Sequence, residues 1–228
     1  MEIIRYAGLK PQPWRNGGGV TREVAAFRSP EADTAAPADI GAAPAVRGQD
    51  AGWQWRVSIA DVSKAGPFSP FPGMDRVLTV IEGDLLLLSV DGVEHPLEKY
   101  RPFRFSGDAA SSGTLPTGDV RNLNVITRSG AFKGYTSIVE LSKKRAHPVF
   151  EGQLGILLQG QATVSPGIAV AGSGAEPDPA SASGTDLPAG PETLERYDAV
   201  VGSDTATPEI LGRGFLAVVS IDQVAGGL

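Results

Sequence analysis

The sequence predicts an all-β protein made of short antiparallel strands. Polar and apolar residues alternate over 53–60, which is the pattern of a strand with one buried face. Apolar runs at 76–81 and 85–90 flank a Glu-Gly-Asp turn, and an Asp-Gly pair at 91–92 then marks a hairpin. No segment has the periodicity of a long amphipathic helix. Further strands are expected at 103–105, 123–127, 134–141, 155–158, 162–164 and 215–221.

An internal repeat indicates that the strands form two sets. VLTVIEGDLLLL, around Gly83, is similar to GILLQGQATV, around Gly160. Each segment runs from an apolar strand through Glu or Gln, Gly, and Asp or Gln into a second strand, and an aspartate near a turn follows, Asp108 or Asp198. The repeat favours a duplicated β unit. Chance similarity between β-hairpins is the alternative.

Composition limits the function classes. The chain has 228 residues, 41% of them hydrophobic, enough to bury a core in one large or two small domains. A net charge of −6 argues against nucleic acid as a partner, because phosphate binding needs Lys and Arg. With no cysteine, disulfides, thiolate nucleophiles and Cys-based zinc sites are excluded. No apolar run reaches membrane-spanning length and no signal peptide is visible, so we expect no membrane partner and a cytoplasmic location.

Two segments dominated by Ala, Gly, Pro and Ser interrupt the strands, at 29–50 and 165–191. They hold too little large apolar surface to offset the entropy of ordering them. We expect flexible or irregular inserts. A short helix in the first insert is the alternative, limited by its three prolines.

Five motifs follow one another in the N-terminal half. They are WRNGGGVTRE at 14–23, WRVSIA at 55–60, GPFSPFPGMDR at 66–76, FSGD at 105–108 and NLNVITR at 122–128. Their order resembles the HutD/Ves family of the cupin superfamily. This resemblance implies a bicupin, two double-stranded β-helix (jelly-roll) barrels in one chain. We expect an N-terminal barrel at 1–135 carrying the motifs and the insert at 29–50, and a C-terminal barrel at 136–228 carrying the insert at 165–191.

The histidine content argues against the metal site of many cupins, which need several converging imidazole and carboxylate ligands. Only His95 and His147 occur, each followed by proline, and neither has a second histidine at ligand spacing. We therefore expect no metal and no cofactor. A Ser-His-Asp hydrolase is also disfavoured, because neither histidine lies within the motifs.

The motifs offer cationic and hydrogen-bonding groups instead. Arginine forks suit bidentate binding of a carboxylate, and glycines beside an asparagine could add backbone N–H donors. Strand alternation puts Thr21 with Glu23, Arg56 with Ser58, and Asn122 with Asn124 and Arg128 on shared faces. The predicted ligand-binding residues are Arg15, Asn16, Gly17, Gly18, Thr21, Glu23, Arg56, Ser58, Phe68, Ser69, Arg76, Asn124 and Arg128.

Structural interpretations of the same residues stay open. Solvated strand faces, an ion pair between Glu23 and Arg56 or Arg76, and asparagines that satisfy backbone groups at a barrel end would each account for part of the set.

The functional hypothesis is a metal-free bicupin that binds a small anionic metabolite bearing a carboxylate. The family resemblance implies a link to regulation of histidine utilisation, with urocanate or N-formylglutamate as ligands; resemblance to Ves implies a stress-associated role instead. One alternative is an enzyme that acts on a small anionic metabolite with Glu23 as general acid or base. A second is an interaction protein that forms a homodimer.

Overall fold

The computed structural model describes residues 1–14, 16–29, 52–167 and 190–225. Both predicted inserts, apart from a few flanking residues, and Arg15 lie outside these ranges. The all-β prediction is confirmed: within the described ranges, strands account for all regular structure except a 3₁₀ turn at Tyr6–Gly8. None of the described residues forms a helix long and apolar enough to cross a membrane. The strands are β1 (Glu2–Ile4), β2 (Gln12–Pro13), β3 (Gly19–Arg28), β4 (Trp53–Val62), β5 (Gly66–Pro67), β6 (Met74–Glu82), β7 (Leu85–Val90), β8 (Val93–Glu98), β9 (Phe103–Ser106), β10 (Ser111–Thr114), β11 (Val120–Arg128), β12 (Phe132–Leu141), β13 (His147–Pro148), β14 (Gln153–Ser165), β15 (Glu192–Leu194), β16 (Ala199–Val201) and β17 (Glu209–Gln223).

The chain divides into two compact units. One, called here the N-terminal unit, comprises Ala7–Ile138 with Val219–Leu228, and the other, the C-terminal unit, comprises Met1–Tyr6 with Val139–Val218. The two ends of the chain are therefore exchanged. Residues 1–6 belong to the C-terminal unit and residues 219–228 belong to the N-terminal unit, unlike in a division of the chain into halves at residue 135. The exchange arises because β1 pairs antiparallel with β16, while the Val224 N–H, beyond β17, donates to the Ala131 carbonyl.

Two sheets form the N-terminal unit. The six-stranded sheet has the order β2-β3-β4-β11-β6-β9, and the four-stranded sheet has the order β5-β10-β7-β8. Asp91 (φ 48°) and Gly92 (φ 82°) are both left-handed, as expected for the predicted two-residue hairpin turn between β7 and β8. Residues from both sheets make one buried apolar cluster: Val62, Leu78, Val80, Leu86, Leu88, Leu97, Phe105 and Val120.

The register of β4, β11 and β6 places polar residues on the face that carries this cluster, called here the inner face. In β11, Ile126 pairs with Arg56 on one side and Arg76 on the other. The next cross-strand rung is Ser58–Asn124–Leu78, and the one after is Ala60–Asn122–Val80. Because Leu78 and Val80 belong to the apolar cluster, the side chains of these rungs share the inner face. The alternation predicted from the sequence is confirmed.

The core of the C-terminal unit is apolar except for Asp198, as far as the described residues extend. Its strands belong to a sheet with the order β1-β16-β14-β17-β12, to which β13 and β15 add. The buried cluster consists of Leu141, Val149, Leu157, Ala162, Val164, Leu194, Val200, Ile210, Leu216 and Val218. Two strands were predicted at 155–158 and 162–164, but the structure has one, β14. Gly160, at φ 100°, bends the chain without ending the strand.

Gly83 and Gly160 occupy matching places in the two units, which is the structural counterpart of the sequence repeat. Both have positive φ. A Cβ atom on Gly83 would lie 2.7 Å from the Asp119 carbonyl oxygen, and one on Gly160 would lie 1.9 Å from that of Arg213. Gly83 thus lets the turn after β6 pass close to Asp119, just before β11, and Gly160 lets β14 pass close to Arg213 in β17. No other residue fits without moving the backbone.

Asp198, one of the two aspartates of the repeat, attaches β1 to the C-terminal unit. Its side chain is 2% exposed and accepts hydrogen bonds from Arg5 Nη1 at 2.8 Å and from the backbone N–H groups of Tyr6 at 2.9 Å and Glu195 at 3.0 Å. Hydrogen bonding and charge from Asp198 raise the pKa of Arg5. The buried Asp198 carboxylate therefore has a structural role, since it accepts hydrogen bonds that hold this part of the fold together.

Candidate functional site

The glycine-rich loop that opens β3 is held by its own hydrogen bonds. The Gly17 N–H donates to the Trp14 carbonyl at 3.0 Å, and the Gly18 N–H donates to Asn16 Oδ1 at 2.9 Å. The Gly18 carbonyl accepts from the backbone of Ser63 at 3.0 Å. Asn16 and Gly17 are exposed and Gly18 is buried. Two of the three glycine N–H groups are thus engaged within the loop, which argues against the expected role as anion donors.

Gly19 explains why the loop is glycine-rich at its strand end. A Cβ atom there would lie 2.3 Å from the Asp61 carbonyl oxygen of β4. We expect Gly19→Ala to lower the free energy of unfolding by about 2–3 kcal/mol, because β3 must move away from β4. Urea denaturation measures the effect. Gly66→Ala is the control, since nothing lies within 4 Å of a Cβ there; equal stability of the two variants would contradict this account of the loop.

Trp14 connects the loop to the inner face. Its Nε1 donates to Thr21 Oγ1 at 2.8 Å, and its ring packs edge-on against Phe68 with centroids 6.0 Å apart. Phe68 is half-buried and reaches the space left by Gly113 of β10. The structure therefore places Thr21 and Phe68 in the wall between the two sheets, whereas Ser69 is exposed and offers only its carbonyl oxygen, 3.5 Å from Arg76 Nη1.

Glu23 and Arg56 form an ion pair on the inner face. Glu23 of β3 is the direct cross-strand partner of Ser58 in β4, so it lies on the same face as Arg56, the alternate residue of β4. Arg56 Nε lies 2.9 Å from Glu23 Oε2, and the two side chains are 5% and 27% exposed. The guanidinium also stacks 4.4 Å from the centroid of Trp53. The charge of Arg56 is thus offset by Glu23 and the indole face.

Arg76 has no such counterion among the described residues. It is 4% exposed, and its guanidinium lies 4.8 Å from the ring centroid of Phe105 and 5.0 Å from that of Phe71. Burial lowers its pKa to about 10. No carboxylate of the described residues forms an ion pair with it, and its Nε makes no hydrogen bond there. Arg76 is thus a buried cation that no carboxylate of the described residues compensates. Burying such a charge without a partner costs folding free energy.

Three further polar side chains of β11 face the same region. Arg128 Nη2 donates to the Trp53 carbonyl at 3.2 Å, while its buried Nε has no hydrogen-bond partner among the described residues. The buried Oδ1 atoms of Asn122 and Asn124 also accept no hydrogen bond from them. Ser58, 2% exposed, lies beside Asn124 in the register. The inner face therefore brings together unused donors and acceptors.

The structure adds aromatic side chains that the sequence prediction missed, among them Trp53 and Phe105. Trp53 reaches the inner face because the register of β3 and β4 shifts between Phe27 and Arg28. Phe105 is the direct cross-strand partner of Arg76 in β9. No local sequence signal reports a bulge or a pairing between separate strands, although Phe105 lies within a recognised motif and Trp53 lies two residues before another.

No group of three or more His, Asp or Glu side chains is placed to hold a metal ion in the part of the chain that the structure describes. His95 packs against Phe103 with ring centroids 4.6 Å apart. The pKa of His147 is lowered by burial and by the charge of Arg145. Both histidines thus lie in structural surroundings.

The sequence of this chain matches a known protein family. The HutD family model matches residues 6–218. This chain belongs to the HutD family. Protein Ves of Citrobacter koseri is 33% identical over 142 residues, 60% of this chain and 64% of that protein. An uncharacterized 21.2 kDa protein in the hutC 3′ region of Pseudomonas putida is 36% identical over 127 residues, 55% of this chain and 57% of that protein. The match thus spans less than two thirds of these curated relatives.

Solved structures extend the similarity over nearly the whole chain. The structure of HutD from Pseudomonas fluorescens SBW25 is 26% identical, with a TM-score of 0.65, and the match covers 98% of this chain and 99% of that one. A cupin 2 conserved barrel domain protein from Leptotrichia buccalis has a TM-score of 0.50 at 7% identity, covering 97% and 100%. The cupin-like fold predicted from the motifs is confirmed.

Proposed function

We propose that the inner face of the N-terminal unit binds a small carboxylate-bearing metabolite without covalent chemistry. Arg76 carries the proposal, because it is a buried cation without a carboxylate partner among the described residues. Desolvation by Phe71 and Phe105 removes competing water. A ligand carboxylate would supply the missing charge and hydrogen bonds in a site of low dielectric constant, where such bonds are strong.

The candidate ligands and the pathway are proposed from what is said of the related proteins. One is described by its position in the hutC 3′ region, and another is HutD itself, described in a formate condition. Formate is the smallest carboxylate. We therefore propose that the ligand is a metabolite of histidine utilisation, with urocanate and N-formylglutamate as candidates, and that binding serves to regulate that pathway.

The C-terminal unit supports the choice of location by contrast. Of the buried polar and charged side chains among the described residues, Asp198 alone belongs to this unit. Its one fully buried charged residue among those described, Asp198, is satisfied by Arg5 and backbone N–H groups. We propose that this unit contributes to structure, and that the ligand site belongs to the N-terminal unit alone.

A thermal-shift screen tests the proposal with formate, glutarate, urocanate, N-formylglutamate and an uncharged sugar as probes. A ligand at about 100 times its Kd should add about 2.7 kcal/mol to the free energy of unfolding if it binds only the folded state. We expect stabilisation by at least one carboxylate and none by the sugar. Absence of any shift with millimolar carboxylates would contradict the proposal.

A further inference from the structure

The side-chain amide oxygens of two asparagines on the inner face have no hydrogen-bond partner among the described residues. Asn122 is 2% exposed and Asn124 is half-buried. The Oδ1 atom of each is inaccessible to solvent and accepts no hydrogen bond from the described residues. Leaving a buried amide oxygen unpaired costs about 1–3 kcal/mol. Two such groups on one strand indicate that something outside the described residues pairs with them.

Their position relates them to the uncompensated cation. Ile126 of β11 pairs directly with Arg76. Toward the start of β11, the next inner-face residue is Asn124 and the one after it is Asn122. Alternate residues of a strand are about 7 Å apart, so the amides continue the site away from Arg76 in two short steps. A ligand whose carboxylate meets Arg76 would extend its other end along β11 toward these amides.

The C-terminal unit shows that the fold does not require amides here. Gly83 crosses over Asp119, and Gly160 crosses over Arg213 in the same manner. Three and five residues beyond these crossings lie Asn122 and Asn124 in β11, and Leu216 and Val218 in β17. Both of the latter belong to the apolar core. The duplicated architecture thus accommodates apolar side chains at the positions where the N-terminal unit has two unpaired amides.

We infer that Asn122 and Asn124 determine ligand specificity by accepting hydrogen bonds from an N–H or O–H group of the bound carboxylate. The inference rests on the proposed function and narrows it. The ligand class becomes small carboxylates that carry a hydrogen-bond donor at the end remote from the carboxylate. A carboxylate without a donor leaves both amide oxygens buried and unpaired, and the site discriminates against it for that reason.

Matched ligand pairs test the inference by isothermal titration calorimetry. trans-Urocanate is compared with trans-3-(2-furyl)acrylate, in which a furan replaces the imidazole ring and removes the N–H donor. N-Formylglutamate is compared with glutarate, which lacks the formamide. A pH of about 8 keeps an imidazole ring, with its ordinary pKa of ~6.5, neutral. We expect the donor-bearing member of at least one pair to bind about tenfold or more tightly.

Variants copied from the C-terminal unit give the second arm. Asn122→Leu and Asn124→Val should bring the ratio of the two dissociation constants in that pair close to one, and neither should lower the melting temperature. Gln161→Leu is the control, because Gln161 is an exposed amide of β14 in the C-terminal unit, outside the proposed site; it should leave the ratio as in the wild type.

The possible failures are distinguishable. Equal affinity within each pair, or a ratio unchanged in both variants, overturns the inference while the proposed function stands. A lower melting temperature together with an unchanged ratio assigns the amides to structure and also overturns it. If no carboxylate binds the wild type at all, the proposed function fails and takes this inference with it.

Discussion

Replacing Arg76 by methionine should make the protein more stable and less able to bind carboxylates. The depressed pKa of about 10 corresponds to a burial penalty of about 3 kcal/mol at 1.36 kcal/mol per pKa unit. Methionine packs well against aromatic rings and carries no charge. We expect Arg76→Met to raise the free energy of unfolding by about 1–3 kcal/mol and to weaken carboxylate binding about 100-fold, since charge-assisted bidentate hydrogen bonds are lost. Urea denaturation and calorimetry measure the two effects.

Arg101→Met is the matched control for charge. Its side chain is 78% exposed and forms a surface ion pair with Glu98. Such pairs contribute little, so both quantities should stay near their wild-type values. If Arg76→Met destabilised the protein and left carboxylate binding unchanged, Arg76 would be a structural residue and the account of the site would fail.

The lowered pKa of Arg76 also determines how the stability difference between Arg76→Met and the wild type depends on pH. Because the pKa of Arg76 is lower in the folded than in the unfolded state, the unfolded state binds more protons above pH ~10, and stability from this group rises there. Below pH ~10 the penalty is fully present. The stability advantage of Arg76→Met should therefore be constant at neutral pH and narrow above pH ~10.

Glu23→Gln should have the opposite pair of effects. The substitution removes the carboxylate partner of Arg56, whose side chain is 5% exposed, and we expect stability to fall by about 2–3 kcal/mol. The loss is below that of a fully buried pair because Glu23 is 27% exposed. Carboxylate affinity should rise about tenfold, because the site loses its negative charge and the anion replaces it. Denaturation and calorimetry again measure both.

Glu98→Gln is the control for this change, since Glu98 is 69% exposed at the protein surface. The substitution also separates binding from catalysis. If Glu23 acted as general acid or base, the wild type would turn over a metabolite and Glu23→Gln would not. The binding account predicts no product from either protein, and detection of product from the wild type alone would contradict it.

Alternation predicted the inner faces of β4 and β11 from sequence because a strand has a period of two whatever its neighbours are. The partner of Glu23 could not be predicted, since Arg56 and Arg76 were equally acceptable. The sheet order decides it. β3 lies beside β4 but is separated from β6 by two strands, about 14 Å across the sheet, so Glu23 reaches only Arg56. Glu23 does not compensate the charge of Arg76 because the strand order keeps the two residues apart.

The use of the glycine-rich loop could not be predicted from the sequence. Consecutive glycines are compatible with a ligand-binding loop or with close packing of backbone, and both use the absence of Cβ. Gly19 faces the Asp61 carbonyl of β4, and Asn16 Oδ1 takes up the Gly18 N–H. Only the distances between separate strands distinguish the two uses. The glycines of the motif shape the wall, whereas the arginines proposed to bind the ligand, Arg56 and Arg76, come from other strands.

A crystal structure of the protein with N-formylglutamate or urocanate bound would locate the ligand site. We expect a ligand carboxylate within about 3 Å of the Arg76 guanidinium nitrogens, between the two sheets of the N-terminal unit. A saturating ligand found elsewhere, with no anion at Arg76, would contradict this expectation.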